Sequence, residues 1–117
     1  MMEADRHVLG FVGLGVMGEP MCRNLARKSG QQVIAYDLRA EPLARLAEDG
    51  VETAASLADL AGRADIIFMS LPGEPQVRAV AQGEGGLIEL MAQGKTLVDT
   101  STCPVSLARE LAEECEA

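Results

Sequence analysis

Five residues of apolar chain, Val8 to Val12, run without a break into Gly13-Leu14-Gly15-Val16-Met17-Gly18. A helix-like pattern follows at once. Few local patterns narrow a fold so much, because each glycine has a separate physical task where a strand turns into a helix. The first allows the tight turn off the strand, and the second lets backbone come close to a pyrophosphate. The third lets the helix pack hard on the strand. The open N–H groups and positive end of the helix then hold phosphate charge. A bare Gly-x-Gly-x-x-Gly is weak, since glycines gather in any turn. Here it ends a strand near the N-terminus, and Asp37 follows Gly18 by nineteen residues at the close of a second apolar run, Val33 to Tyr36. An acid about 20 residues on is what the ribose hydroxyls of an NAD-type dinucleotide require. The competing reading is an ordinary strand–helix–strand unit whose glycines serve packing only. The combined context favours the dinucleotide.

The remaining chain alternates in the same way. Met17, Met21 and Leu25 form one apolar stripe expected to face a sheet, on a helix closing near Lys28-Ser29-Gly30. Pro20 sits late for a first-turn proline and is expected to cost a backbone hydrogen bond. A strand from about Gln32 reaches Asp37, and a helix from Glu41-Pro42 to Glu48 turns Leu43, Leu46 and Ala47 inward. Val51–Thr53 reads as a weak strand and Ser56 as a helix cap. Ile66 to Met69 is continuously apolar, the mark of a strand buried on both faces of a parallel sheet. Ser70 to Pro75 is a loop by composition, with helix from Gln76 to Ala81 and again from Leu87 to Met91. A fifth strand runs from Thr96 to Val98 and ends at Asp99. The last helix, capped by Ser101 or Thr102 with Pro104 in its first turn, places Leu107, Leu111 and Cys115 on one stripe. Strands alternating with helices imply an α/β fold, a doubly wound parallel sheet of about five strands in a Rossmann-like dinucleotide-binding domain. The full form has six strands, so residues 1–117 read as one incomplete domain, a fragment with an apolar edge strand.

Composition excludes several classes. A net charge of −8 argues against broad nucleic-acid or anionic-membrane surfaces. No apolar run approaches a membrane span, and Met1 to Arg6 lacks the pattern of a signal peptide, so a cytoplasmic protein is expected. Cys22, Cys103 and Cys115 share no metal-ligand spacing and read as reduced thiols, with no metal site. His7 is alone and reads as a surface residue.

Three ordered stretches together resemble the β-hydroxyacid dehydrogenases, the family of 3-hydroxyisobutyrate dehydrogenase, tartronate semialdehyde reductase and 6-phosphogluconate dehydrogenase. Gly10 to Met21, with Asn24-Leu25, is similar to the family's N-terminal signature, and Met17-Gly18-Glu19-Pro20 is closer to the hydroxyisobutyrate branch. Met69-Ser70-Leu71-Pro72, leading through Gln76 to Gly86-Leu87, resembles its cofactor-side loop. Asp99-Thr100-Ser101-Thr102 resembles its substrate-side motif, although Pro104 comes one position early and Val105 fills the usual proline site. The resemblance implies that Gly13, Leu14, Gly15, Val16, Met17 and Gly18 lie along the pyrophosphate and that Asp37 takes the adenosine ribose. Leu71, Pro72 and Gln76 would line the path to the nicotinamide. Ser101 and Thr102 would meet the substrate carboxylate, Thr102 also the nicotinamide end; the competing role for both is helix capping. It implies an all-helical second domain and a catalytic lysine beyond residue 117, which neither Lys28 nor Lys95 matches. No catalytic residue is therefore expected in this chain, and the chain alone should be inactive.

The leading reading is the NAD-binding domain of an oxidoreductase that transfers hydride between nicotinamide and a small 3-hydroxy acid, a homo-oligomer when intact. Arg39, two residues after Asp37, could touch a 2′-phosphate, but Asp37 would repel it, so NAD is favoured over NADP. The alternatives are a non-catalytic NAD(H)-binding module and a fragment of an NADP-dependent semialdehyde or imine reductase.

Overall fold

A computed structural model describes residues 7–82, 85–91, 94–101 and 105–116. Five strands, β1 (Val8–Val12), β2 (Gln32–Tyr36), β3 (Glu52–Thr53), β4 (Ile66–Met69) and β5 (Thr96–Asp99), make one sheet in the order β3-β2-β1-β4-β5. Every pairing is parallel. Among the described residues five helices connect them, α1 (Gly18–Lys28), α2 (Ala40–Ala47), α3 (Leu57–Arg63), α4 (Glu74–Ala81) and α5 (Leu87–Leu90), and α6 (Val105–Glu116) follows β5. This is the expected doubly wound sheet, with the first five strands of the dinucleotide order. The chain builds outward from β1 to β3, then returns to the other side of β1 to lay down β4 and β5. The pairings Val12 with Tyr36, Val12 with Met69, and Met69 with Asp99 align four strand ends in one row.

The sheet is buried from both sides because its strands alternate apolar residues on both faces. Leu9, Phe11, Val33 and Ala35 face α1 and α2, packing with Cys22, Leu46 and Val51. Val12, Ile34, Ile67 and Met69 face the other helices, packing with Leu60, Ala61, Val77, Ala81, Leu87, Leu107 and Leu111. With few aromatics available, close helix approach by alanines and leucines fills this core. Phe11 and Phe68, paired across β1 and β4, stack at 6.1 Å. Among the described residues β5 pairs on one side only, as expected of an edge strand.

Several local expectations change. Gly18, not the residue after Gly15, opens α1. Pro20 falls in the first helical turn and costs one bond there as expected: the Glu19 N–H donates to the Gly15 carbonyl at 3.1 Å and the Met21 N–H to the Met17 carbonyl at 3.4 Å, while proline has no N–H to give the Val16 carbonyl between them. The later start leaves Met17 outside the helix, and the inward stripe centres on Gly18 and Cys22. Met17 is the N-cap and 70% exposed, while Cys22 is fully buried and Met21 and Leu25 are half-buried. Pro75 likewise belongs to the first turn of α4, so that helix begins at Glu74, two residues earlier than expected. In α2, Pro42 and Leu46 face the core and Ala47 faces out. In α6, Leu107 and Leu111 are buried but Cys115 is exposed. Ser56 does cap α3, accepting from the Asp59 N–H at 3.1 Å, while the Asp59 carboxylate accepts from Ala55 at 3.0 Å. Cys103 and the proposed first-turn Pro104 lie outside the described residues.

A charge cluster ties α1 to α2 and the turn after it. Glu19 accepts from Arg23 at 2.9 Å and from Arg45 at 2.7 and 2.8 Å. Asp49 accepts from Arg23 at 3.0 Å and from Arg27 at 2.8 Å. The hydrogen bonds from Arg45, opposed by partial burial and reinforced by Arg23, hold the Glu19 carboxyl down from 4.5 to about 2. Arg27 and Arg23 lower Asp49 in the same way. A carboxyl depressed in the folded state adds stability above its unfolded value and loses it as pH falls toward the folded one. Thermal midpoints are therefore expected to fall between about pH 4.5 and pH 2, and Glu19→Gln should flatten part of that fall. An unchanged acid limb in that variant would remove Glu19 from the account.

Candidate dinucleotide site

The row of strand ends sets the site. At the carboxyl edge of a parallel sheet, where successive strands depart to opposite sides, two neighbouring loops diverge and leave a crevice. Here that point lies between β1 and β4. Gly13, just past β1, has φ +97°, and a Cβ there would run into the Ser70 carbonyl oxygen beyond β4 and come within 2.8 Å of a Leu71 methyl. A Cβ on Gly18 would strike the Gly13 carbonyl, so α1 reaches the turn only because residue 18 has no side chain. Gly15 differs: nothing lies within 4 Å of the Cβ position. That is open space in front of backbone, the room a ligand group needs for close approach.

Asp37 organises the loop. One carboxylate oxygen accepts from the Leu14 N–H at 2.7 Å, and the other accepts from the Arg39 N–H at 2.9 Å. The Gly13 N–H donates to the Tyr36 carbonyl at 3.2 Å. These bonds peg the first half of the glycine loop to the end of β2. Among the described residues the N–H groups of Gly15, Val16 and Met17 donate to nothing. Together with the α1 dipole they form a patch of unspent donors suited to phosphate oxygens. Among the described residues Val16, Met17 and Leu38 are the exposed large apolar side chains; Leu38 follows Asp37, and the first two belong to this patch. Arg39 leans over it, donating to the Leu14 carbonyl at 3.0 Å and to Asp37 at 3.3 Å.

The other expected residues fall as follows. Leu71 is half-buried against Gly13, and Pro72 and Gln76 are exposed on the β4 loop and the first turn of α4. Ser101 stands beyond β5, where its hydroxyl accepts from the Leu71 N–H at 2.8 Å and its own N–H donates to Asp99 at 2.8 Å. It is four residues ahead of α6, so it fastens the β4 loop to the β5 loop instead of capping the helix. Thr102 lies outside the described residues. Lys95, just before β5, donates from Nζ to the Ala61 carbonyl at 2.6 Å, closing the end of α3 away from the crevice. Burial pushes the Cys22 thiol up to about 12, which leaves it unreactive at neutral pH. Two features escaped the sequence reading: Asp37 accepting from Leu14, and the Glu19–Arg45 pair beside the loop. An acid and an arginine in separate helices carry no local signal of meeting.

A parallel sheet with a glycine loop of free N–H groups at its switch point defines a dinucleotide-binding α/β domain. More particularly, the chain belongs to the family of the NAD-binding domain of 6-phosphogluconate dehydrogenase, whose model matches residues 8–117. It is 38% identical over 113 residues to mitochondrial 3-hydroxyisobutyrate dehydrogenase of Rattus norvegicus, covering 97% of this chain and 33% of that protein. It is 43% identical over 95 residues to 2-hydroxy-3-oxopropionate reductase of Escherichia coli, covering 80% of this chain and 32% of that protein. Among solved structures, Mycobacterium tuberculosis 3-hydroxyisobutyrate dehydrogenase with L-serine superposes with a TM-score of 0.81 at 27% identity, over 95% of this chain and 37% of that one. Psf3 in complex with NADP+ does so with a TM-score of 0.83 at 28% identity, over 92% and 39%. The chain thus spans about a third of the length of the curated relatives it matches. Among the described residues no helix is long and apolar enough to cross a membrane, and no cluster of three or more metal-ligating side chains occurs.

Proposed function

We propose that this chain is the cofactor-binding part of an oxidoreductase acting on a small 3-hydroxy acid, and that it takes NAD in preference to NADP. The observation that carries this reading is the Asp37–Leu14 bond, which holds the loop so that the Gly15, Val16 and Met17 N–H groups stand free at the switch point. The bound nicotinamide would supply a hydride acceptor or donor. The chain's own residues would do the holding. Gly13 to Gly18 would seat the pyrophosphate, and the second lone pairs of the Asp37 oxygens would accept from the adenosine ribose. Leu71, Pro72 and Gln76 would flank the path toward the nicotinamide. Ser101, its oxygen already engaged by the Leu71 N–H, still has a hydroxyl proton to give a substrate carboxylate, and Thr102 would assist it. The proton-handling lysine and an all-helical domain would belong to sequence beyond residue 117, so residues 1–117 should bind cofactor without turning over substrate.

Arg39 favours a second reading. Its guanidinium lies 3.3 Å from Asp37 and is half exposed, so it offsets carboxylate charge and keeps donors free for a 2′-phosphate. The Psf3 relative, in complex with NADP+, fits that reading too. Calorimetric titration of the chain with NADH and with NADPH separates the two. Tighter NADH binding, weakened about tenfold or more by Asp37→Ala, is expected. Tighter NADPH binding, lost in Arg39→Ala, would reverse the cofactor assignment.

A further inference from the structure

Glu19 sits in the first turn of α1, one residue past the glycine loop. An acid there suits an empty helix, because it offsets the positive end of the dipole. In a phosphate site the same charge works against the ligand, since it cancels the field that draws the phosphates in. The structure deals with this charge by pairing. Arg45, from the last turn of α2, brings both its Nε and a terminal nitrogen onto the two Glu19 oxygens, at 2.8 and 2.7 Å. Arg23 also reaches Glu19, but it divides its donors between Glu19 and Asp49. Asp49 in turn binds Arg27, and Glu41 is the other acid near Arg45. Arg45 is therefore the cation among these whose hydrogen bonds go to Glu19 alone.

We infer that Arg45 is a positioning residue for the dinucleotide: it draws the Glu19 carboxylate sideways onto α2 and balances its charge, so that the α1 N-terminus still attracts phosphate. This rests on the dinucleotide reading above. Neither residue touches the cofactor in this scheme; both act through the field at the glycine loop.

The two partners should then shift affinity in opposite directions, which a purely structural clamp would not do. Glu19→Gln leaves Arg45 as a spare positive charge and should tighten NADH binding. Arg45→Met leaves Glu19 undercompensated and should weaken it. Each shift should be about three- to tenfold at low ionic strength, shrinking as salt rises. The double variant Glu19→Gln/Arg45→Met should return close to the wild-type affinity. Calorimetric titration of the four proteins with NADH at two salt concentrations reads this out, with urea midpoints to verify folding and Arg45→Gln as a second variant should Arg45→Met not fold. Shifts in the same direction, or no shift, in a chain whose wild type binds NADH would overturn the role of Arg45 and leave the cofactor reading standing. A folded wild type that binds neither NADH nor NADPH would overturn both.

Discussion

Gly13→Ala is expected to cost this domain about 3 kcal/mol or more, enough to lower its melting temperature by roughly 10 °C or beyond. Two independent penalties meet at this position. The backbone has φ +97°, a region in which a Cβ is strained. The added methyl would also point into the Ser70 carbonyl, which cannot retreat, because the Ser70 N–H is bonded to the Val12 carbonyl at 2.9 Å. Relief would require β1 and β4 to part at their carboxyl ends, where Phe11 and Phe68 stack. Against a total stability of about 5–15 kcal/mol for a domain of this kind, that is a large share. Thermal or urea unfolding measures it. A variant that melts within about 2 °C of the wild type would show that the turn is not pinned between the two strands.

The second large effect is expected two residues on, in binding instead of stability. A Cβ on Gly15 meets nothing within 4 Å, and its backbone is outside the left-handed region. Gly15→Ala should therefore fold with a stability within about 0.5 kcal/mol of the wild type. The methyl would occupy the open space in front of the free N–H groups, and NADH affinity should fall about tenfold or more. Measured together, the two variants separate what the glycines do for the fold from what they do for a ligand. If Gly15→Ala binds NADH as the wild type does, the pyrophosphate does not lie against this loop. Gly18 falls with Gly13 in this scheme, since its missing side chain lets α1 reach the Gly13 carbonyl.

Much of this arrangement is legible in the chain itself, because it depends on local pattern. Val33 to Tyr36 and Ile66 to Met69 are short unbroken apolar runs, and the strands lie where those runs do. The glycine spacing and the distance to Asp37 specify a strand–turn–helix–strand unit, and one such unit largely dictates a parallel sheet with its switch point. What the pattern left open was phase. The buried face of α1 centres on Gly18 and Cys22, about 100° round the helix from the expected stripe through Met21, so Cys22 faces the core while Met17, the N-cap, faces out. Pro75 reads as part of a loop until the start of α4 is known, and then it is a first-turn residue with no hydrogen bond to lose.

The sequence by itself thus determined the order of elements, the sheet they must form and the edge at which a dinucleotide would bind. Those follow from periodicity and from backbone geometry that glycine alone permits. The tertiary structure decided which polar groups meet: Asp37 with the Leu14 N–H, Ser101 with the Leu71 N–H, Arg45 with Glu19. Each of those contacts joins residues more than twenty positions apart. Hydrogen bonds and ion pairs act over about 3 Å, so only the packed chain can bring such partners together.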